Sequence, residues 1–235
     1  RLGVPLEQAE AFLQEANQID GIEIEGLYSH FATADEGDLS YANDQLNKFN
    51  DVLAIAEKLG INPTFIHCSN SGAILNLPES RFNMVRVGML LYGAFPSDEV
   101  PQDLPIKPVM TFTAPVVEIR DVKAGTPISY GGVYTTEKDT RIAVVQAGFA
   151  DGVPRPWYVD GFVKFKDQNL KITGRICMDQ LMIDVGSADI QYGDEVLIFG
   201  SNEHGTIDVN EIANTINSTS YVLVTAIGIR PKRIY

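Results

Sequence analysis

The strongest constraint on the fold is a change of hydrophobic pattern at Asp98 to Pro108. Before it, helix-like and strand-like segments alternate. Pro5 to Asn17 places Leu6, Ala9, Phe12, Leu13 and Ala16 at helical spacing. Ile22 to Tyr28 alternates apolar with acidic and small residues, as a strand does, and leads into His30. Tyr41 to Leu59 carries a helical stripe of Leu46, Phe49, Val52, Leu53, Ile55 and Ala56, stopped by Gly60. Thr64 to Cys68 predicts a short strand, Gly72 to Leu77 a helix capped by Asn70 or Ser71, and Phe82 to Val85 another strand. This alternation points to a parallel α/β architecture with helices outside. About three βα units are present, too few to close an eight-fold barrel.

Pro101, Pro105 and Pro108 mark the stretch as a linker, with a boundary between residues 103 and 104. Beyond it come short β-type runs at Val109 to Ile119, Arg141 to Gln146, Phe162 to Phe165, Lys171 to Ile176, Leu181 to Val185 and Glu195 to Phe199. Turns punctuate them at Lys123-Ala124-Gly125, Ala150-Asp151-Gly152 and Gln191-Tyr192-Gly193-Asp194. The pattern predicts a mostly antiparallel β domain, closed by helical pieces at Asp208 to Ile216 and Ser220 to Ile227.

At 235 residues and 45% hydrophobic, the chain can bury a sizeable core. A net charge of -13 repels phosphate backbones and anionic lipids, which argues against nucleic acid or membrane as partner. Cys68 and Cys177 form neither a disulfide framework nor a zinc cluster, so a reducing cytoplasm is the simplest compartment. No apolar run reaches the roughly 18 residues of a spanning helix, and no signal peptide is visible. Residue 1 is Arg, not Met, so the natural N-terminus is expected to lie upstream.

In parallel α/β folds ligands bind at the carboxyl ends of strands. Ser29, His30 and Asp35 follow the first predicted strand; His67, Asn70 and Ser71 the second; Arg86 and Gly88 the third. All would face one mouth. Ser71 at a helix N-terminus suits a phosphate, or is an ordinary cap. Gly88-Met89 can add N–H donors. Arg86, inside an apolar run, is either a ligand contact or half of a surface ion pair. His67 either orients Arg86 or is a core histidine. His30 either stacks on a flat aromatic ligand or fills the mouth. Neither histidine has a partner at metal-ligand spacing. In the second half, Ile128-Ser129-Tyr130-Gly131-Gly132 is a glycine-flanked tyrosine, held at a sharp tip or simply exposed on a turn. Gly174-Arg175-Ile176-Cys177-Met178-Asp179-Gln180 reads as a strand edge with a cross-strand pair of Arg175 and Asp179.

Together these stretches resemble the bacterial alanine racemases, isomerases dependent on pyridoxal 5′-phosphate. The resemblance rests on Arg1-Leu2-Gly3, Ser29 to Glu36, His67 to Ser71, Arg86 to Gly93, Ser129-Tyr130-Gly131, Gly148 to Gly152, Gly174 to Gln180 and Arg230 to Tyr235, in family order. It covers essentially the whole chain.

The resemblance implies the C-terminal βα units of a TIM-type (β/α) barrel followed by a β-rich domain, working as a head-to-tail homodimer with shared active sites. The lysine that would form the Schiff base is expected upstream of Arg1. Tyr130 would be a catalytic base acting on cofactor held by the other subunit. Ser71, the backbone of Gly88 and Met89, and Tyr221 would bind phosphate. Arg86 would bond the pyridine nitrogen, supported by His67, and His30 would pack on the ring beside Tyr130. Arg1 and Met178 would contact the substrate carboxylate. Asp35, Phe149, Arg155 and Arg175 would line the entrance.

A lysine and a tyrosine on opposite faces of Cα suit racemisation, which removes a proton from one face and returns it to the other. Tyrosine ordinarily titrates near about 10, so cations must help it. The product would be D-alanine for peptidoglycan, made in the cytoplasm. Phe149 departs from the family's usual tyrosine, and Val222 stands where a glutamate is common. These departures leave serine or a wider set of small amino acids as alternative substrates. The related barrel decarboxylases would require an acid at the pyridine nitrogen, and Arg86 argues against them. A non-catalytic fragment or dimerisation scaffold is the alternative from another class.

Overall fold

The computed structural model describes residues 2–235. The described residues form two compact units, 2–91 with Phe95–Pro105, and Tyr92–Ala94 with Ile106–Tyr235.

In the first unit a 3-10 turn at Leu6–Gln8 runs into helix α1 (Ala9–Ala16). Strand β1 (Gly26–Tyr28), helix α2 (Ser40–Lys58), strand β2 (Phe65–His67) and helix α3 (Ser71–Asn76) follow. The two strands are parallel, pairing Gly26 with Phe65, Leu27 with Ile66 and Tyr28 with His67. The strand expected over Ile22 to Tyr28 is three residues long, the length of its pairing with β2. A side chain at Gly26 would meet the Phe65 carbonyl at 3.0 Å, so any larger residue there would press the two strands slightly apart. The predicted stripe of α2 forms the core: Leu46 and Phe49 pack with Phe31, Ala34, Cys68 and Leu77, while Ala56 packs with Leu13 and Ile61. Leu6 and Phe12, expected on the buried face of the first helix, are exposed. Asn70 is the cap of α3, its side chain accepting from the Ala73 N–H at 3.0 Å. The helix accordingly starts at Ser71, one residue before the expected Gly72.

Phe82 to Val85 is not a strand. The Asn83 side-chain amide takes the ladder positions instead: Nδ2 donates to the Thr64 carbonyl at 2.8 Å, and Oδ1 accepts from the Ile66 N–H at 2.8 Å. One backbone bond then fixes the next residues, from the Arg86 N–H to the Ser69 carbonyl at 2.9 Å. Arg86 thus reaches the end of β2 without a third strand.

The second unit holds strands β3 (Phe112–Val122), β4 (Pro127–Ile128), β5 (Tyr134–Thr135), β6 (Thr140–Val145), β7 (Phe162–Phe165), β8 (Gln168–Lys171), β9 (Leu181–Asp184), β10 (Glu195–Asn202) and β11 (Gly205–Ile207). All pairings are antiparallel, in the order β8-β7-β10-β3-β6-β9, with β11 on β10 and a separate β4-β5 pair. A single bridge from Ile172 to Ile183 joins the two ends of that order, so the sheet curls back on itself. Phe112, Ala114 and Val116 alternate inward on β3, and Leu181 and Ile183 on β9, as period-2 patterning requires.

The strand expected over Lys171 to Ile176 falls earlier, on Gln168–Lys171. A two-residue hairpin turn, with Lys166 at φ 49 and Asp167 at φ 61, starts it, and Gly174 at φ 75 ends the extended run. Helices α4 (Val209–Thr215), capped by Asp208 through the Asn210 N–H at 2.8 Å, and α5 (Ser220–Ala226) complete the unit.

Trp157 is 1% exposed and tilted against Phe162 within this core. Trp157→Ala is expected to destabilise the second unit by about 3–5 kcal/mol, and Trp157→Phe by clearly less. Urea denaturation followed by circular dichroism measures both.

Candidate active site

The expected site residues divide between the two units. In the first, three loops after β1, β2 and the Asn83 bridge bring Ser29, His30, His67 and Arg86 together. Arg86 Nη1 donates to His67 Nδ1 at 2.6 Å and to the His67 carbonyl at 3.2 Å. Nη2 donates to the Ser29 carbonyl at 2.9 Å and to His30 Nδ1 at 3.1 Å. Every acceptor is neutral. Arg86 makes no ion pair among the described residues, so the surface-pair alternative fails. Its Nε–H finds no acceptor among them either.

The His67 ring stacks on Tyr28, with centroids 5.3 Å apart and planes 8° apart, and Arg86 Cζ lies 5.6 Å from the Tyr28 centroid. Burial, then the Arg86 charge, hold the His67 imidazole below its ordinary pKa. It is therefore neutral, with the Nδ1 lone pair toward Arg86 and the proton on Nε2. His67 is thus bonded to Arg86 through both its ring and its carbonyl, the geometry that an orienting role requires. Tyr28 was not foreseen; its signal is its place as the last residue of β1, paired with His67.

Ser71 is 3% exposed, and its Oγ accepts from the Gly88 N–H at 3.0 Å. The hydroxyl proton remains for another acceptor. The first N–H groups of α3 have no partner within the helix. A side chain at Gly72 would meet Asp35 Cβ and N at 2.8 Å, so the glycine lets α3 start directly against Asp35. The Met89 side chain is 1% exposed, which leaves its backbone as the part able to serve a ligand. Burial pushes the Cys68 thiol up to about 11, making it a packing group rather than a nucleophile.

In the second unit Tyr130 stands at the tip of the β4-β5 hairpin, with its side chain 68% exposed. Ser129 at φ 63, Gly131 at φ 76 and Gly132 at φ 55 make the tip sharp. Ser129 Oγ donates to the Arg175 carbonyl at 2.6 Å, a positioning contact the sequence did not flag. A side chain at Gly131 would lie 3.0 Å from Arg175 Nη1, and one at Gly174 would lie 2.6 Å from the Ile128 carbonyl. The tyrosine tip is thus fastened to the Gly174 to Cys177 segment.

The expected pairing of Arg175 with Asp179 does not form, because the guanidinium lies over Gly131 instead. Arg175 and Arg155 line one cavity of about 430 Å³ with Pro156, Tyr158 and Val159. Phe149 and Met178 are joined through the backbone: the Phe149 N–H donates to the Cys177 carbonyl at 3.0 Å and the Ala150 N–H to the Met178 carbonyl at 2.8 Å. Tyr221 lies on α5 and is 44% exposed. Arg1 lies outside the described residues. Among the described residues no group of three His, Cys, Asp or Glu side chains is placed to hold a metal, and no helix is long and apolar enough to cross a membrane.

Residues 1–96 match the family model for the alanine racemase N-terminal domain, and residues 109–235 that for the alanine racemase C-terminal domain. An alanine racemase of Desulforamulus reducens is 41% identical across all of this chain, which spans 64% of that relative's length. The alanine racemase structure from D-cycloserine-producing Streptomyces lavendulae matches 98% of the chain and 62% of its own, at 38% identity and a TM-score of 0.92. The alanine racemase of Bartonella henselae, solved with covalently bound pyridoxal phosphate, matches 100% of the chain and 63% of its own, at 29% identity and a TM-score of 0.87. The neutral cradle around Arg86, the Ser71–Gly88 contact and the fastened tyrosine tip therefore sit on the barrel and β-rich folds of one lineage, and the chain belongs to the alanine racemase family.

Proposed function

We propose that the full-length protein interconverts L- and D-alanine using pyridoxal phosphate, with Tyr130 as one of two bases. The observation that carries this reading is Arg86, a guanidinium held by four neutral acceptors with its Nε–H free of any described partner. Such a donor suits a neutral ring nitrogen. Guanidinium does not release its proton, so a pyridine nitrogen bonded to it stays unprotonated. A carboxylate there would do the opposite, which disfavours a decarboxylase.

The residues present fit the cofactor. Arg86 would hold its ring nitrogen, with neutral His67 and the stacked Tyr28 keeping the guanidinium in place. The Ser71 hydroxyl, the first N–H groups of α3 and the Gly88–Met89 backbone would hold its phosphate, with Tyr221. His30 would pack on its ring. When bound, pyridoxal phosphate supplies the electron withdrawal that acidifies the amino acid's Cα–H. The Tyr130 phenol oxygen takes a proton from, or returns one to, one face of Cα, and a lysine serves the other face. That lysine would lie in the part of the relatives' length that this chain does not span. Met178, with Arg1, would hold the substrate carboxylate, and Asp35, Phe149, Arg155 and Arg175 would frame the approach.

We place Tyr130 on cofactor held by a second subunit of a homodimer. The product would be D-alanine for peptidoglycan, made in the reducing cytoplasm where Cys68 and Cys177 stay free thiols.

Full-length protein with the cofactor is expected to racemise L-alanine, followed by optical rotation; cofactor binding with unchanged rotation would refute the reading. Tyr130→Phe is expected to lower kcat by about 10²–10⁴-fold while the bound-cofactor absorbance persists. Equal loss of both would make the tyrosine structural.

The His67 shift also has a signed consequence. A folded-state pKa below the unfolded value of about 6.5 means protonation opposes folding, so this contribution is complete above pH 6.5 or so and is lost as pH falls below it. By imidazole NMR, His67 should titrate below its ordinary value. In Arg86→Ala it should rise only part of the way back, because burial is the larger cause.

A further inference from the structure

Two residues of the chain's motifs have no role in that scheme: Asp151, in the turn Gly148-Phe149-Ala150-Asp151-Gly152, and Arg230, in the closing stretch Arg230 to Tyr235. Asp151 is 7% exposed and is the one buried carboxylate among the described residues. Its Oδ2 accepts from the Gly148 N–H at 3.0 Å, closing the turn on itself. Its Oδ1 accepts from Arg230 Nε at 2.9 Å, across 79 residues of sequence. A buried carboxylate left without such partners is costly, so the turn and the tail hold each other. The bond to Asp151, and then its charge, raise the Arg230 pKa, with Asp179 adding to the same field.

The turn is clamped on two sides. On one, Gly148 packs face-on against the Cys177 to Asp179 backbone: an added side chain would meet the Cys177 carbonyl at 2.4 Å and Asp179 N at 2.5 Å. The Phe149 and Ala150 N–H bonds to Cys177 and Met178 lie on this side. On the other, Gly152 at φ 102 packs against the end of α5, where a side chain would meet Ile227 Cδ1 at 2.6 Å and the Ala226 carbonyl at 2.9 Å. Phe149, Met178 and the helix bearing Tyr221 therefore all rest on one turn. Neither glycine leaves room for the turn to shift without moving what it touches.

We propose that Asp151 and Arg230 are positioning residues for the racemase reaction, setting the placement of Met178, Phe149 and the Tyr221 helix through the Gly148–Gly152 turn. The pair acts through those groups and touches no substrate itself. This inference rests on the roles given to Met178, Phe149 and Tyr221 above.

The test uses the full-length protein with Arg230→Ala, Arg230→Lys and Asp151→Asn, alone and combined. Hydrogen exchange on cofactor-free protein reads the clamp without reference to activity. In Arg230→Ala the amides of Phe149 and Ala150 should exchange at least tenfold faster, with the β10-β3 amides unchanged. With cofactor bound, KM for alanine should rise roughly tenfold while kcat falls much less, since a small misplacement of a binding contact is expensive. Arg230→Lys should recover most of the loss, and Arg230→Ala with Asp151→Asn should be no worse than the poorer single variant. Unchanged exchange at the turn would overturn the proposal. Faster exchange with KM and kcat both at wild-type values, or additive effects in the double variant, would do so equally. If Arg230→Ala fails to fold, Asp151→Asn, which keeps an acceptor for Gly148, and Arg230→Lys carry the same readings. A wild-type protein without racemisation would refute the functional reading alone, with the exchange arm still reporting on the clamp.

Discussion

The first unit is organised around a positive charge with no negative partner among the described residues. Arg86 gives four hydrogen bonds, all to uncharged acceptors: two imidazole nitrogens and two backbone carbonyls. Local structure exists to hold it there. The Asn83 amide substitutes for a strand and delivers Arg86 to the end of β2. Tyr28 stacks on His67 and fixes the plane of the ring, and the bond from Arg86 Nη1 holds its Nδ1 lone pair toward the guanidinium. Burial and the arginine itself keep that imidazole neutral, and hence an acceptor. An arginine paired with a carboxylate would be a structural element. One held this way keeps its field and a donor for something else, and that links the packing to the chemistry proposed.

The second unit solves a different problem, the fixing of exposed side chains. Tyr130, Phe149 and Met178 are all substantially exposed, so packing alone cannot hold them. Each is instead carried on backbone that is fastened elsewhere. Ser129 and Gly174 fix the tyrosine tip to the segment leading to Met178, and the Gly148–Gly152 turn fixes that same segment to Phe149. The closed antiparallel sheet beneath supplies a rigid platform. Loops on such a platform are where binding and catalytic groups are expected.

Much of this was legible in the sequence, and the exceptions have physical causes. The α2 stripe was readable because burial on one face imposes a 3.6-residue period. The inward residues of β3 and β9 were readable because a half-buried strand alternates. Phe82 to Val85 misled because a side-chain amide can satisfy a strand edge, and nothing in an apolar run reveals that. The β7-β8 hairpin was hidden because Lys166 and Asp167 take left-handed conformations without a glycine to announce them. The expected Arg175–Asp179 pair ignored Gly131, whose missing side chain leaves room for the guanidinium. Residue types alone left Ser71, His67 and Tyr130 open between structural and functional roles; the expected functional roles came from the family resemblance. The Arg230–Asp151 pair was invisible because its partners lie 79 residues apart in sequence and are brought together only by the tertiary fold.

The central claim is that Arg86 presents its free donor to a neutral ring nitrogen. The most direct test is solid-state nitrogen NMR of ring-labelled pyridoxal phosphate bound to the full-length protein. The account predicts the chemical shift of an unprotonated, hydrogen-bonded pyridine that moves further toward the free-base value in Arg86→Ala. A pyridinium shift in the wild-type protein would contradict it.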